Sequence, residues 1–426
     1  MSRVTRLPSG LSVVTDTMAH VDSVAVGVWV ETGTRSEAEG EHGVAHFMEH
    51  MAFKGTAHRS ARAISEAIEG VGGDINAATS VETTAYHARM LAEDLPLALD
   101  IFADILTEPA FAPAEVERER NVILQEIGAA EDVPEDRAFD ALPEAAFRGQ
   151  PLGRRILGTR ASVGAVSADA LRTFFEAHYT APAMTVVAAG RVDHAAFVDA
   201  AARAFERVPS RRAPAASRAS YTGGVAAEAD EDASECQLIL GFEGRGARHD
   251  DAVAAQLAAM VVGGGLSSRL FQALREERGL VYDTSAFHWA FAETGVFAVH
   301  LATSPDTVLE AAAVTLDELE GAIGTITEEE LARAKAQLRA GLLMSLESPS
   351  ARMGQAARQA IVFGRARTKE ERLAEIEAVT GEDVRRLLSA LTRTTPTLVT
   401  VGPGEAPDAS AIAARFGGVA DPGSAA

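Results

Sequence analysis

A chain of 426 residues is too long for one hydrophobic core, so two domains of about 200 residues each are expected. The hydrophobic content of 47% and the charged content of 23% are ordinary for a globular protein, and no apolar run approaches the length of a membrane span. The net charge of −22 argues against binding to nucleic acid and to anionic membranes.

The N-terminus and the cysteine content suggest the cellular compartment. Residues 1–14 show neither a secretory apolar region nor an Arg- and Ser-rich amphipathic presequence, so we expect a cytoplasmic protein. The single cysteine, Cys236, excludes an internal disulfide. It lies in an apolar, strand-like run, which favours a buried structural thiol over a nucleophile.

The first 208 residues read as a mixture of strands and helices. Alternating and β-branched runs predict strands at 11–15, 23–30, 74–80, 83–91 and 185–190. Helical periodicity, with Ser167 as one N-cap, predicts helices at 42–55, 60–71, 95–106, 113–130, 134–147, 167–178 and 194–208. Residues 209–222 are rich in Pro, Ser, Ala and Arg and predict an exposed linker.

The second half repeats this order. Strands are predicted at 237–242, 281–291, 295–303 and 397–402. Helices are predicted at 251–262, 267–278, 307–322, 327–347, 351–362, 369–379 and 381–391. The strands at Ala25 and Gln237, and those at Thr185 and Thr397, are each 212 residues apart. The fold class is therefore α+β, with two tandem homologous domains, 1–208 and 223–426, in which helices pack on a largely antiparallel sheet.

The stretch 42–55, HGVAHFMEHMAFKG, carries the clearest chemical signal. His46 and His50 are four residues apart and share one face of a helix, with Glu49 beside them. Two neutral imidazoles at this spacing can hold a zinc ion, and the carboxylate can take a proton from the attacking water. The helix is apolar around most of its circumference, so these ionisable groups need a partner such as a metal. The alternative is a pair of core histidines bonded to carbonyl groups.

A catalytic zinc site normally has a third protein ligand. In the helix at 113–130, Val116, Glu119, Ile123 and Glu126 form one stripe that is otherwise apolar. Either glutamate can be the third ligand, and the other can form a hydrogen bond to one of the metal ligands. The alternative is a charged helix with both carboxylates at its solvent edge.

The order and spacing resemble the pitrilysin-type metallopeptidases, the inverzincins, and in particular their mitochondrial-processing-peptidase-like branch. A glutamate follows the second histidine of the H-x-x-E-H motif after 76 residues. The resemblance makes His46, His50 and Glu126 the zinc ligands, with one zinc ion per chain. It makes Glu49 the general base and Glu119 the supporting glutamate.

The resemblance continues in the segment 73–80. Asn76 and Ala77 match the Asn-Ala of the family's edge strand beside the zinc, to which a substrate peptide adds as a further strand. Taken without the resemblance, this segment is simply half of a hairpin.

The segment 263–282 is similar to the family's second signature block. Arg275 and Tyr282 match the Arg/Tyr pair that contacts substrate and steadies the oxyanion. From the residues alone, Arg275 is an exposed helix cation and Tyr282 a half-buried strand aromatic. The glycine triplet at 263–265 is not a phosphate loop, because no Gly-Lys-Ser/Thr follows it.

Two acidic residues suggest a specificity subsite. Asp136 and Asp140 are four residues apart on the helix that follows Pro134, and they match positions that receive an Arg side chain in processing peptidases. They are equally compatible with carboxylates that favour a helix N-terminus.

The resemblance implies a zinc endopeptidase that hydrolyses short or unfolded peptides, with a possible preference for sites near basic residues. Chains of this length pair in the family as a clamshell that encloses a chamber, so we expect a homodimer with peptides as substrates. One alternative is a non-catalytic or scaffold homologue of a processing peptidase. Another is a zinc hydrolase that acts on a non-peptide amide.

Overall fold

A computed structural model describes residues 2–403 and 406–415, which divide into two compact units. The first unit consists of the residues up to Gly128, Arg154–Ser217 and Leu342–Lys369. The second consists of Ala129–Gly153, Arg218–Gly341 and the described residues from Glu370 onward. Each unit is a mixed sheet with packed helices, which confirms the predicted α+β class.

Within the described residues, the two sheets contain six and five strands. The strands are β1 Ser2–Arg6, β2 Ser12–Thr17, β3 Ser23–Val30, β4 Asp74–Thr79, β5 Thr84–Leu91, β6 Met184–Gly190, β7 Gly224–Glu228, β8 Cys236–Arg245, β9 Val281–Ala290, β10 Thr294–Thr303 and β11 Thr397–Val401. The first sheet has the order β1-β2-β6-β3-β5-β4, and the second has the order β7-β11-β8-β10-β9. Pairing is antiparallel except between β2 and β6 and between β7 and β11.

The helices account for most of the remaining described chain. They are α1 Val44–Ala52, α2 Ala61–Glu69, α3 Leu95–Ile105, α4 Pro113–Glu131, α5 Pro134–Ala146, α6 Arg160–Ala165, α7 Ala168–His178, α8 His194–Ala204, α9 Ala252–Gly263, α10 Val308–Thr325, α11 Glu328–Ser345, α12 Pro349–Phe363, α13 Lys369–Ala378, α14 Gly381–Leu391 and α15 Ala409–Arg415. None of the helices in the described residues is long and apolar enough to cross a membrane.

Strand β3 shows why the first sheet needs helices on both faces. Successive side chains of a strand point to opposite faces. Val26 and Val28 belong to the core that also contains α1 and α3, whereas Ala25 and Trp29 pack with Met353 of α12 on the other face. The near-continuous apolar sequence of β3 is thus explained by burial on both sides.

The two packing units differ from the predicted contiguous halves in two segments. Helix α12, from the second half of the sequence, packs on β2, β3 and β6 of the first unit. Helix α5, from the first half, packs on β7, β8 and β11 of the second unit. The break between the units at Ser217 and Arg218 falls inside the predicted linker at 209–222, which has no helix or strand.

Several local predictions needed correction. Strands β1 and β7 and the short helices α6 and α15 were not predicted. Half of the predicted helix at 267–278 is a π-helical segment, Phe271–Glu276, in which the regular α-helical hydrogen bonding is not maintained. Cys236 is buried as expected, and burial raises the pKa of its thiol to about 11.

A buried ion pair holds α12 on the first sheet. Both Nε and Nη2 of Arg352 donate to the carboxylate of Asp16 on β2, at 2.8 and 2.9 Å. Asp16 is 4% exposed. Charge-assisted pairs with two hydrogen bonds are stronger than neutral hydrogen bonds, and loss of the arginine removes the charged partner of a buried carboxylate.

Substitution Arg352→Met should lower the free energy of unfolding by about 2–4 kcal/mol, because it leaves the Asp16 carboxylate buried without its guanidinium. Arg358→Met, which removes an exposed arginine from the same helix, is the matched control and should change stability by less than about 0.5 kcal/mol. Urea unfolding followed by circular dichroism measures both. Equal effects of the two substitutions would contradict a tethering role for Arg352.

Candidate metal centre

Two glycines allow the chain to enter α1. Gly43 precedes the helix with φ +88°, a conformation that side chains with a Cβ rarely adopt. A Cβ at this position would lie 2.9 Å from the Leu157 carbonyl oxygen and 3.1 Å from the Cα atom of Gly158. The backbones at positions 43 and 158 therefore cross closely, and this crossing fixes where α1 begins.

A buried carboxylate caps the same end of α1. Oε1 of Glu37 accepts hydrogen bonds from the backbone N–H groups of Gly43 and Ala45, at 3.1 and 2.9 Å. Arg154 donates to the Glu37 carbonyl oxygen and so fixes the loop that carries this residue. Helix N-termini have N–H groups without partners, and Glu37 supplies the acceptor in place of a side chain at position 43.

Helix α1 presents one polar patch in an otherwise apolar environment. Phe47, Met48 and Met51 are buried in the core of the first unit. His46 is 9% exposed, and Glu49 and His50 are half-buried. The apolar residues fix the rotation of the helix, so that the three polar side chains project together.

The predicted zinc ligands converge. Nε2 of His46 lies 3.8 Å from Oε2 of Glu126, and Nε2 of His50 lies 3.5 Å from the same oxygen. The two imidazole rings are edge to face, with centroids 4.7 Å apart. One ligand atom from each of the three residues lies within 4.8 Å of the others, and these residues form the one such group found among the described residues.

The two glutamates of α4 occupy different places. Glu119 is buried, and its Oε2 lies 3.1 Å from Nδ1 of His50, on the far side of the ring from Glu126. Its other oxygen, Oε1, lies 2.8 Å from Nζ of Lys54. Glu126 therefore faces the Nε2 atoms of the two histidines, and Glu119 contacts the opposite nitrogen of His50.

Glu49 lies beside this group and close to the edge of the sheet. The hydroxyl and backbone N–H groups of Thr79, the last residue of β4, are near enough to its carboxylate to offset part of the effect of burial on its pKa. Oε2 of Glu49 is buried and has no hydrogen-bond partner among the described residues. Burial raises the pKa of Glu49, which makes the carboxylate a stronger base.

The donor set fits zinc. Burial and the neighbouring His50 lower the pKa of His46 to about 4, so the His46 imidazole is neutral at physiological pH, as a ligand must be. Two imidazole nitrogens and one carboxylate oxygen are the His₂Glu set of catalytic zinc sites, which leaves a coordination position for water. Zinc, one ion per chain, is the cofactor that this arrangement supports.

The remaining residues predicted for the site lie outside this cluster. Asn76 and Ala77 are on β4, and Oδ1 of Asn76 accepts a hydrogen bond from the Ala77 N–H at 2.8 Å. No other described strand pairs with the outer side of β4, so β4 is an edge strand as the resemblance implied.

The four other predicted residues belong to the second unit. Asp136 is exposed and Asp140 is half-buried on α5. Arg275 is exposed in the π-helical segment, with its guanidinium 5.2 Å from the ring centroid of Phe271. Tyr282 is 59% exposed, more than the half-burial predicted, and its hydroxyl lies 3.2 Å from Oγ of Ser304.

Three residues near the centre were missed by the sequence analysis. They are Glu37, Lys54 and Thr79. Glu37 is in a charged loop and Thr79 in a polar strand, where nothing distinguishes them from solvent-exposed neighbours. Lys54 carried a usable signal, because a lysine four residues after His50 lies one turn beyond it and within reach of the same groups.

Family models match most of the chain. Residues 12–160 match the model described as insulinase, peptidase family M16, and residues 165–338 match the peptidase M16 inactive domain. An uncharacterized zinc protease of Streptomyces coelicolor is 36% identical over 410 residues, which cover 94% of this chain and 89% of that protein. The chain belongs to peptidase family M16.

Other M16 relatives extend this comparison. An uncharacterized zinc protease of Mycobacterium bovis is 41% identical over 91% of both chains. The mitochondrial-processing peptidase subunit beta of Lentinula edodes is 32% identical over 91% of this chain and 86% of that protein. These relatives confirm the predicted family and its processing-peptidase-like branch.

Solved structures support the fold. The crystal structure of a peptidase M16 inactive domain from Pseudomonas fluorescens superposes with a TM-score of 0.89 at 20% identity, over 96% of this chain and 99% of that one. The crystal structure of a protease from Helicobacter pylori superposes with a TM-score of 0.88 at 22% identity, over 95% of this chain and 99% of that one. The match of residues 165–338 to an inactive domain agrees with the absence of a second H-x-x-E-H motif.

The capping role of Glu37 predicts a difference between two substitutions. Glu37→Gln keeps an acceptor for the Gly43 and Ala45 N–H groups, whereas Glu37→Ala leaves both buried without one. Glu37→Ala should therefore lower the free energy of unfolding by about 1–3 kcal/mol at pH 7, and Glu37→Gln by much less. Chemical unfolding of the metal-free proteins measures the difference. Equal losses would show that burial of the side chain, rather than capping, is what matters.

The same residue predicts a pH dependence. Burial raises the pKa of Glu37 from 4.5 to about 8. An acid with a raised pKa in the folded state contributes stability below pH 4.5 that is lost as the pH rises through 8. Between pH 6 and 9, wild type should therefore lose stability relative to Glu37→Gln, by an amount on the order of a few kcal/mol. Parallel pH profiles for the two proteins would contradict ionisation of Glu37 in this range.

Proposed function

We propose that this M16 protein is a zinc-dependent endopeptidase that hydrolyses short or unfolded peptides. The observation that carries the proposal is the convergence of His46, His50 and Glu126, with the Glu49 carboxylate beside them. The relatives named as zinc proteases support the same class of reaction.

The chain supplies a general base for peptide hydrolysis. Zinc, when bound by His46, His50 and Glu126, supplies Lewis acidity that makes a water molecule more acidic and polarises a carbonyl group. Glu49 accepts the proton of the attacking water and passes it to the leaving amine. Thr79 lies beside the Glu49 carboxylate, and its hydroxyl and backbone N–H groups favour the charged form of the base.

The edge strand β4 is the proposed substrate-binding element. An extended peptide that adds to a sheet edge gains main-chain hydrogen bonds without a particular sequence. Because Thr79 ends β4 and lies beside Glu49, a peptide that lies along this strand comes to the general base. Asn76 must release the Ala77 N–H if that group is to bind a peptide.

The roles proposed for Arg275 and Tyr282, substrate contact and oxyanion stabilisation, rest on the family resemblance. Both side chains are exposed and carry donor groups, which such a role requires. An enclosed chamber and a homodimer are likewise proposals from the resemblance.

A non-catalytic homologue is the competing proposal. The name of the second matched model shows that the family includes inactive domains. The complete set of His46, His50, Glu126 and Glu49 in the first unit favours catalysis, because a scaffold needs none of these buried polar groups.

Substitution Glu49→Gln tests the mechanism. The variant should retain one zinc ion per chain and lose peptide turnover by several orders of magnitude, since the amide cannot accept the proton. Glu69→Gln, at an exposed position on α2, is the control and should keep wild-type activity. Incubation with a mixed peptide library, with and without a chelator, followed by mass spectrometry of the products gives both turnover and metal dependence.

The outcomes separate the two proposals. Cleavage by wild type that the chelator abolishes supports the endopeptidase. Stoichiometric zinc in wild type without cleavage of any unfolded peptide favours the non-catalytic homologue. Normal cleavage by Glu49→Gln contradicts the role of Glu49 as the base.

The same library tests the proposed subsite for a basic residue. The double substitution Asp136→Asn and Asp140→Asn should reduce the preference for Arg-containing over Arg-free peptides by about 10-fold, because two carboxylates are replaced by neutral amides. Glu135→Gln, in the first turn of the same helix, is the control for a general loss of negative charge. An unchanged preference in the double variant rules out the subsite.

A further inference from the structure

Lys54 lies just beyond the C-terminal end of α1, four residues after His50. Its Nζ atom is 2.8 Å from Oε1 of Glu119, and its side chain is 31% exposed. The backbone N–H of Lys54 donates to the Met51 carbonyl oxygen at 3.2 Å, so the last turn of α1 fixes the start of this side chain.

The partner of Lys54 is Glu119, a carboxylate whose buried charge has to be balanced by other groups. The Glu119 side chain is 7% exposed, and a charged carboxylate at that depth is costly without partners. Both carboxylate oxygens of Glu119 have a partner. Oε1 faces the Lys54 ammonium, and Oε2 lies 3.1 Å from Nδ1 of His50. With Oε1 held by the ammonium, Oε2 is presented in a fixed direction to the imidazole.

The contact with Glu119 determines which nitrogen of His50 is free. In the neutral ring that a metal requires, a carboxylate next to Nδ1 accepts from Nδ1–H and so favours the tautomer whose lone pair is on Nε2. That Nε2 atom is the one that faces Glu126, at 3.5 Å.

His46 has no equivalent arrangement. Its Nδ1 atom is buried and has no hydrogen-bond partner in the described part of the chain. Orientation of a ligand imidazole by a charged partner is therefore concentrated on His50, and Lys54 is the outer end of that chain of contacts.

We propose that Lys54 is a positioning residue for the metal centre, and that it acts through Glu119 to hold His50 in the tautomer and orientation that bind zinc. The proposal rests on the metal centre of the proposed function, but it concerns metal affinity rather than peptide cleavage.

Simple charge repulsion predicts the opposite change in zinc affinity when Lys54 is removed. A cation close to a Zn²⁺ site repels the metal ion, so its removal should strengthen zinc binding. If Lys54 instead positions Glu119, its removal should weaken zinc binding. The direction of the change therefore distinguishes the two effects.

The test is the zinc dissociation constant of the purified protein, measured by competition with a chromophoric chelator. Lys54→Met should weaken zinc binding by about 10-fold, the lower end of the range for partners of metal ligands. Lys54→Arg, which keeps a cation that can reach Glu119, should restore most of the affinity. Lys335→Met is the matched control: it removes a lysine of the second unit that donates to the Glu377 carbonyl oxygen at 2.8 Å, and it should leave zinc affinity unchanged.

A double-mutant cycle tests whether the effect passes through Glu119. Glu119→Gln alone should weaken zinc binding, and addition of Lys54→Met to that variant should cause no further loss. Unchanged or tighter zinc binding in Lys54→Met overturns the proposal, as does a full additional loss in the double variant. If Lys54→Met does not fold, the zinc affinities of Lys54→Arg and Lys54→Gln are compared instead. Equal zinc affinity in these two variants overturns the proposal.

This outcome is independent of the proposed function. Wild type that binds zinc but cleaves no peptide contradicts the endopeptidase and leaves the Lys54 comparison intact. Active wild type together with unchanged zinc affinity in Lys54→Met and Lys54→Gln contradicts the positioning role alone.

Discussion

Burial of three polar side chains on α1 is the constraint on which the first unit depends. His46, Glu49 and His50 project from a helix whose other residues are in the core, and ionisable groups in such surroundings are costly unless they are paired. The fold meets this cost with groups from distant parts of the chain. Helix α4 brings Glu126 and Glu119, and the end of β4 brings Thr79. A bound metal ion would complete the pairing of the two imidazoles and Glu126.

The same constraint explains features that lie further out. The N-terminal end of α1 is capped by Glu37 and crossed by the backbone at Gly158, and its C-terminal end leads to Lys54. A ligand set spread over two helices works only if α1 cannot rotate or slide relative to α4. These contacts at both ends of a helix of nine residues restrict both motions.

Much of this centre was predictable from the sequence because the spacing of its residues within single helices indicates which side chains share a face. The spacing of His46, Glu49 and His50 defines one helix face, and the stripe that contains Glu119 and Glu126 marks a second helix with carboxylates on its apolar side. The stripe left open which glutamate faces the histidines, since both share one face. The family resemblance assigned Glu126, and the structure places Glu126 at the Nε2 atoms and Glu119 behind His50.

Other features depend on long-range packing that periodicity does not specify. The patterns of α5 and α12 show that each helix has an apolar face, but not which sheet covers it, and both helices pack on the sheet formed mainly by the other half of the sequence. The segment Phe271–Glu276 was predicted as α-helix because its composition is helical, whereas its hydrogen bonds are those of a π-helix. Glu37 was missed because its burial depends on contacts with residues as distant as Arg154.

The central claim concerns which side chains share one divalent cation. The most direct measurement is an anomalous-difference map at the zinc absorption edge from crystals of the zinc-loaded protein. The account predicts one peak per chain, about 2.0–2.2 Å from Nε2 of His46, Nε2 of His50 and a carboxylate oxygen of Glu126. A peak bound by Glu119 in place of Glu126, or the absence of a peak between the two histidines, would contradict it.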